Sequence, residues 1–600
     1  MRLIAMLLLC AALPVATLVA ADIYVDAGAA GNDANTGTIG SPKKTIAGAH
    51  TAANNGDTII LRAGTYAGDI TISKNNITLR SHTGEWAIVS TGNGASDPSE
   101  CIWITGSACT LSRLEVIGGS YYCIKFEGTD GHVVEDCKVH DSGRDCFKIT
   151  PQSDNITIRR CEIYNSGIRD SSNAEGIDNV NGDNMHVHDC YIHNIATNGV
   201  YPKGGARNAV IERNLIVGCG TGGVYLGFST DSVWMNQAGD NNPSYYENID
   251  GTVRNNIIMT TTYAGIGFCS ALNAKVYNNT LINVAQTGQS ALHFHPRDGD
   301  NGQNPPCTGL DVRNNIVYVS SGRPFMTVRT GTGGYNTLAA GGLTMNYNRY
   351  HRASGSVTFN NDQTGQSGIT LTNWRTLMGS DANSTEGATG LNLTTGHLNA
   401  GSACIGTAGT IAGFTDDFDG NTRSGAWDIG ADQTGGTELA TPPAAGTIGT
   451  GGGTAPPSPT APAAASALNA SATAGLTASL TWTDSSTNET GFRIERREGA
   501  GSYAQVGSVA ANTTSFNDSG LVEGLSYTYR VTAYNGVGDA TPSNEDTITA
   551  TSTPTGGGSG TGGTGGGSSG GGGGCAAELG GGMLPMVLGL LAWRRRRTSP

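Results

Sequence analysis

From His132 to Val217 the chain repeats itself, and a repeat of this length permits few folds. Val134-Glu135-Asp136-Cys137-Lys138-Val139 is followed by Ile158-Arg159-Arg160-Cys161-Glu162-Ile163. Then come Val187-His188-Asp189-Cys190-Tyr191-Ile192 and Ile211-Glu212-Arg213-Asn214-Leu215-Ile216. The marker residue (Cys, Cys, Cys, Asn) returns after 24, 29 and 24 residues. The pattern continues through Val253…Asn256, Val276…Asn279, Val312…Asn315 and, more weakly, Met345…Asn348, and Leu111…Leu114 is a degenerate first copy. A fixed period of short apolar strands with few helix signals means a solenoid. About 24 residues hold three short strands and three turns, one coil of a right-handed parallel β-helix. Coils pair at roughly 4.8 Å, so a residue type repeated at one position becomes a vertical stack. A buried Asn there can bond to its neighbours above and below, and a buried Cys fills the same small slot.

A chain of 600 residues suggests more than one domain. Gly takes 90 positions, as expected of turn-rich polar β structure and Gly-rich linkers. The net charge of −14 argues against a nucleic-acid partner. It also disfavours tight capture of an acidic polymer unless a cation or a local basic patch compensates. Residues 1–21 read as a secretory signal: Arg2, then the apolar run from Leu3, then Val19-Ala20-Ala21 before Asp22. Of the thirteen cysteines, Cys10 lies in the signal and Cys575 in the tail, leaving an odd number between Cys101 and Cys404. Export permits disulfides, but the odd number and the ladder positions favour buried free thiols. The lack of a CxxC pair argues against zinc.

The mature chain begins as a strand, Ile23-Tyr24-Val25-Asp26, followed by Gly37-Thr38, Ser41-Pro42, Gly56-Asp57-Thr58-Ile59 and Gly64-Thr65-Tyr66. This run resembles the leading segment of secreted pectate-lyase-like β-helix proteins. Thr45 to Ala53 is the one convincing short helix and is placed as a cap over the open solenoid end, which would otherwise expose strand edges and core. Coils are expected from about Ile70 to about Val357, within a β-helix domain spanning 22–433. Two insertions interrupt them, Ser229 to Asp250 (with Trp234, Tyr245 and Tyr246) and His293 to Pro306, where binding walls or plain surface loops would lie. Thr415-Asp416-Asp417-Phe418-Asp419-Gly420, with Asp428-Ile429-Gly430, resembles the closing segment of bacterial surface β-helix proteins; it reads as a calcium-binding cluster or a turn-rich closure.

Residues 434–460 form a Gly/Thr/Pro/Ala linker. In 461–554, Leu480-Thr481-Trp482, Phe492-Arg493-Ile494 and Tyr527-Thr528-Tyr529-Arg530-Val531 alternate at strand spacing. This segment resembles a fibronectin type III domain, a β-sandwich. Residues 555–582 are Gly/Ser-rich, and 583–600 join an apolar run to Arg594–Arg597. Together they resemble the C-terminal sorting signals of Gram-negative surface proteins, the GlyGly-CTERM and Synergist-CTERM types. The apolar run is short for a membrane core of about 30 Å. By this resemblance the tail would be held briefly in the inner membrane and then processed, leaving the protein at the cell surface or outside it. A plain membrane anchor is the alternative. A monomer is expected.

The strand before each ladder strand aligns as well: Tyr122-Cys123-Ile124-Lys125, Asp145-Cys146-Phe147-Lys148, Glu175-Gly176-Ile177-Asp178, Asn198-Gly199-Val200-Tyr201, Gly222-Gly223-Val224-Tyr225 and Ala291-Leu292-His293. The apolar third residue points inward. Asp145, Glu175 and Asn198 therefore stack on one line, and Lys148, Asp178 and Tyr201 on the next. Three carboxylates this close repel unless a cation joins them, and hard oxygen ligands suit Ca²⁺. Lys203 follows one coil on. Gly143-Arg144-Asp145-Cys146-Phe147, Glu175-Gly176-Ile177-Asp178 and Asn198-Gly199…Lys203-Gly204-Gly205 resemble polysaccharide lyase family 9, whose run is Gly-x-Asp-Gly-Phe, Asp-Asp-Gly-x-Asp and Asn-Gly-Phe-Lys-x-Gly-Gly. The resemblance implies Ca²⁺ ligands at Asp145, Glu175 and Asp178, and a base at Lys203 that removes the proton α to a uronate carboxyl. The cation would acidify that proton, the amine would accept it, and the 4-oxygen would leave. Ala174 and Glu175 stand where the family has its Asp-Asp pair. Lys203 lies two residues late, a shift of about 7 Å along a strand: either a bulge at Pro202 corrects it, or Lys203 is an ordinary turn lysine.

Lys148, Tyr201, Tyr225, His293 and Arg297 are the candidate substrate contacts, with Arg297 suited to a uronate carboxylate. The polymer itself stays open among pectate, alginate and glycosaminoglycan. Two other functions fit the same residues. A glycoside hydrolase would use Asp145 with Asp178 or Glu175 as its carboxylate pair and would not need the lysine. A non-catalytic carbohydrate-binding surface or adhesion protein would carry the stack as solvated turn residues.

Overall fold

The computed structural model describes residues 20–96, 98–237, 240–439, 462–486, 489, 491–534 and 539–552. Most of the signal, most of the linker, the Gly/Ser stretch and the apolar tail lie outside these residues. The chain falls into two compact units, one within Met1–Thr460 and one within Ala461–Pro600. Among the described residues, no helix is long and apolar enough to cross a membrane.

The first unit is a parallel β-helix built of three long sheets of twelve strands each, with a short three-stranded sheet of Ala206–Arg207, Asn248–Ile249 and Ala271–Leu272 beside them. Its periodicity is that of the sequence repeat. One sheet takes Val133–Glu135, Thr157–Arg159, His186–His188 and Val210–Glu212 in succession. Another takes the partner strands Lys138–His140, Glu162–Tyr164, Tyr191–His193 and Leu215–Val217. In the third sheet Ile124, Phe147, Ile177 and Val200 stand opposite one another in register, and Val224, Ile266, Leu292, Met326 and Phe359 continue the line. All of these point into a continuous core.

The marker position forms the expected ladder. Asn214, Asn256, Asn279 and Asn315 each donate a side-chain amide to the Oδ1 of the next asparagine at 3.0 Å, ending at Asn348. Each also donates to a carbonyl of the coil before it. Cys137, Cys161 and Cys190 occupy the same slot above. The cysteines from Cys101 to Cys404 are all free thiols and all buried.

The helix at Ile46–Ala52 starts at Thr45, whose side chain accepts from the Gly48 amide, and it buries Ile46 and Ala49 against the first coils. A second helix, Leu371–Met378, was not anticipated. Its Trp374 is fully buried and stacks on Phe359 at 4.9 Å, covering the opposite end of the core. Coils extend past Val357, to the strand Thr385–Glu386.

The acidic segment after Thr415 does not close the solenoid end. Its Phe418, Ile429 and Ala431, with Leu391, Leu398 and Cys404, pack on Leu215, Ile257, Met259, Ile282 and Ile316, the outward-facing apolar residues of one sheet. This is a strap along the solenoid wall. Asp417 accepts backbone amides of Asp419, Asn421 and Gln433, and Asp428 accepts those of Gly406 and Thr434. Buried Arg423 donates to five backbone carbonyls of the strap. These acids fold the strap. One group of ligand atoms, from His397, Asp419 and Asp432, lies within 4.8 Å, with His397 Nε2 bonded to Asp419 at 3.1 Å.

The second unit is a sandwich. Ser466–Thr473, Thr477–Thr483 and Ser515–Asp518 form one antiparallel sheet, and Ala504–Ala510, Gly491–Glu498, Ser526–Tyr534 and Asp546–Thr549 the other. Leu480, Trp482, Phe492, Ile494, Tyr529 and Val531 fill its core.

Candidate active site

The third sheet places the aligned residues as the repeat requires. Lys148 pairs in register with Asp178, and Asp178 with Tyr201. Asp145 and Glu175 stand on the neighbouring line, where Asp145 Oδ1 accepts the Glu175 amide at 3.0 Å. Small residues follow each acid: a side chain on Gly176 would meet the Gly199 carbonyl at 2.5 Å.

Asp145, Glu175 and Asp178 are 2%, 4% and 1% exposed. Each offers a carboxylate oxygen within 4.8 Å of the others. Burial and the Glu175 charge push the Asp145 carboxyl well above the ordinary range. Burial acts the same way on Asp178, but the ammonium groups of Lys148 and Lys203 outweigh it and hold that carboxyl low. Lys148 donates to Asp178 Oδ2 and stands 3.8 Å from Asp145 Oδ2. Its own pKa is raised: burial opposes the charge, but Asp178 and Asp145 more than offset it.

Lys203 Nζ stands 3.3 Å from Asp178 Oδ1. That contact is an ion pair without hydrogen-bond geometry, so Asp178 Oδ1 has no hydrogen-bond donor. Glu175 Oε2 and the nearby Asn198 Oδ1 are likewise buried and unpartnered. The sequence expected a bulge at Pro202. Instead, Val200–Lys203 runs in unbroken register, with Val180 opposite Lys203. The two-residue shift is absorbed by the side chain, whose ammonium lies 4.1 Å from the centre of the Tyr201 ring on its way back to Asp178. Gly204 and Gly205, at φ +70° and +93°, turn the chain away directly afterwards.

Lys148 and Lys203 line an open cleft of about 620 Å³, which Ser229–Asp231, Trp234 and Gln237 of the first insertion also line. The other candidate substrate contacts are buried. Tyr201 and Tyr225 pack together with Phe228, and the Tyr225 hydroxyl donates to Gln289 at 2.5 Å. His293 sits in the strand Leu292–Phe294, neutralised by burial, which brings its pKa to about 3. Arg297 is not available for a uronate. Its guanidinium is fully enclosed, bonded to Glu247 at 2.7 Å and to the Thr230 carbonyl at 3.0 Å.

Glu247 is a residue that sequence reasoning missed. Completely buried, it also accepts the Gly204 amide at 3.0 Å and the amide and hydroxyl of Thr230 at 2.8 and 2.7 Å. It thus ties the turn after Lys203 to both insertions. Nothing in Tyr246-Glu247-Asn248 distinguishes it from an ordinary loop acid.

Residues 23–180 match the family model described as Pel9A-like, right-handed beta helix region. Residues 460–549 match the fibronectin type III domain, and 102–293 match the periplasmic copper-binding protein NosD. Among solved structures, the chain is similar to pectate lyase Pel9A, with 17% identity, a TM-score of 0.42, and coverage of 69% of this chain and 96% of that one. An alginate lyase from Paenibacillus sp. str. FPU-7 gives 16% identity, TM-score 0.34, and coverage of 57% and 98%. Titin domains A168–A170 give 24% identity, TM-score 0.14, and coverage of 15% and 32%. No curated protein matches.

Proposed function

We propose that this protein is an extracytoplasmic polysaccharide lyase that cleaves a uronic-acid polymer by β-elimination, with Lys203 as the base. The observation that carries the reading is the position of Lys203, 3.3 Å from a buried three-carboxylate cluster and on the floor of an open cleft. The Pel9A-like match of the first coils supports the polymer class, and that match and the NosD match support a location outside the cytoplasm.

Asp145, Glu175 and Asp178 are a fitting donor set for Ca²⁺: all oxygen, closely grouped, with two oxygens that lack donors. When bound, the cation would neutralise the uronate carboxylate and so acidify the C5 proton. Lys148 and Lys203 draw the acidic sugar into a chain that is otherwise negative. Lys203 takes the C5 proton; the electron pair forms the C4=C5 bond and the 4-oxygen departs with the leaving chain. Tyr201 beneath the lysine and Glu247 behind its turn hold the amine in place. The opposed shifts of Asp145 and Asp178 are what a hydrolase acid–base pair would show. Both, however, are buried, and neither lines the cleft that Lys148 and Lys203 line.

The test is ultraviolet absorbance of the unsaturated uronate during incubation with pectate, alginate and glycosaminoglycans, with Ca²⁺ or chelator. A Ca²⁺-dependent rise on one polymer is expected, falling by about 10²–10⁴-fold in Lys203→Ala. New reducing ends without absorbance would replace the lyase reading with hydrolysis.

A further inference from the structure

The cleft lined by the two lysines carries a further feature that the elimination chemistry does not use. Ser232–Trp234 form a single 3₁₀ turn, and Trp234 is 47% exposed although it lines the cleft. An indole is costly to leave in water, and this one is presented on a braced loop. Ser232 donates its amide and its hydroxyl to the two oxygens of Asp300 in the second insertion, both at 2.9 Å. Two residues earlier, Thr230 is fastened by Glu247 and Arg297. The same Glu247 fixes the turn of Lys203, so one buried ion pair sets the indole and the ammonium on a common frame.

We infer that Trp234 is the sugar-stacking platform of this cleft, receiving the apolar C–H face of a pyranose ring in an acidic oligosaccharide whose carboxylate is turned toward Lys148 and Lys203. The inference rests on the proposed reading of the site for its substrate class. The chemistry is complementary: one cleft offers a flat apolar face for the ring and two lysines for the acid. Aromatic contact supplies affinity and orientation at little entropic cost because the loop is already fixed.

The experiment measures calorimetric binding of a galacturonan hexamer, a mannuronan hexamer and a neutral glucan hexamer to the full protein. Lys203→Arg is the parent, so that the base is removed while the second cation stays, and Trp234→Ala and Trp234→Phe are added to it. One acidic hexamer is expected to bind, with the neutral one weaker. Trp234→Ala should weaken it about tenfold and Trp234→Phe should restore most of the loss. In the active protein Trp234→Ala should raise KM with kcat little changed. Equal binding by the parent and Trp234→Ala overturns the platform even if elimination is observed. Loss of binding in Trp234→Ala by a protein that eliminates nothing upholds the platform and removes the lyase reading. A parent that binds no acidic hexamer overturns the platform.

Discussion

Two vertical stacks of polar residues run through the same solenoid, and they are built to opposite ends. The asparagine ladder closes on itself: every side-chain amide from Asn214 to Asn315 is bonded to the next asparagine and to a backbone carbonyl. The stack of Asp145, Glu175 and Asp178 is buried as deeply but leaves Glu175 Oε2 and Asp178 Oδ1 without donors. The coil geometry is common to both. The difference is residue chemistry: an amide carries donor and acceptor and can satisfy its copy one coil away, whereas a carboxylate only accepts and repels its copy. A repeat of amides makes structure, whereas a repeat of carboxylates needs positive charge beside it, which Lys148 and Lys203 supply in part.

This comparison can be broken at its strongest point first. Asn256→Ala strips the donors of Asn214 of their acceptor and takes a side-chain amide donor from the Ile211 and Arg254 carbonyls. Chemical denaturation should show a loss of about 2–4 kcal/mol. Next comes His293, on the same line of the site sheet as Gly267 and next to Phe294. Burial lowers its pKa to about 3, so the folded state excludes a proton that the unfolded chain binds below about 6.5. Its contribution is present above pH 6.5 and is lost as pH falls toward 3. Melting curves should show about 2 kcal/mol lost by about pH 5, a slope that His293→Gln flattens. The smallest effect belongs to the carboxylate stack. Glu175→Gln removes a like charge beside Asp145, so stability should hold or rise by less than about 1 kcal/mol, the opposite sign to Asn256→Ala.

The ladder and both faces of the site strand were legible because period-two alternation within a fixed coil length puts equivalent residues in register. That is why Lys148, Asp178 and Tyr201 fall on one line as read. Side chains that cross between coils were not legible. The reach of Lys203 over Tyr201 replaces the expected bulge, since a long flexible amine corrects a two-residue shift at less cost than a distorted strand. Arg297 in the sequence looks like a free cation in a loop; only the fold brings it to Glu247, fifty residues away. The helix Leu371–Met378 did carry its signals, with Thr370 as N-cap and Gly379 in the left-handed region at its end. The strap after Thr415 was misplaced because its apolar residues answer to outward-facing Leu215, Ile257 and Ile316, which the repeat marks only as positions of the coil.

The most direct measurement is equilibrium binding of Ca²⁺ to the purified protein and to Glu175→Gln. The account predicts saturable binding by the parent, accompanied by a rise in melting temperature, and its loss in a Glu175→Gln variant that remains as stable as the parent without calcium. Calcium binding of equal affinity in both proteins, or none in the parent, would contradict the claim that the carboxylate stack is a cation site.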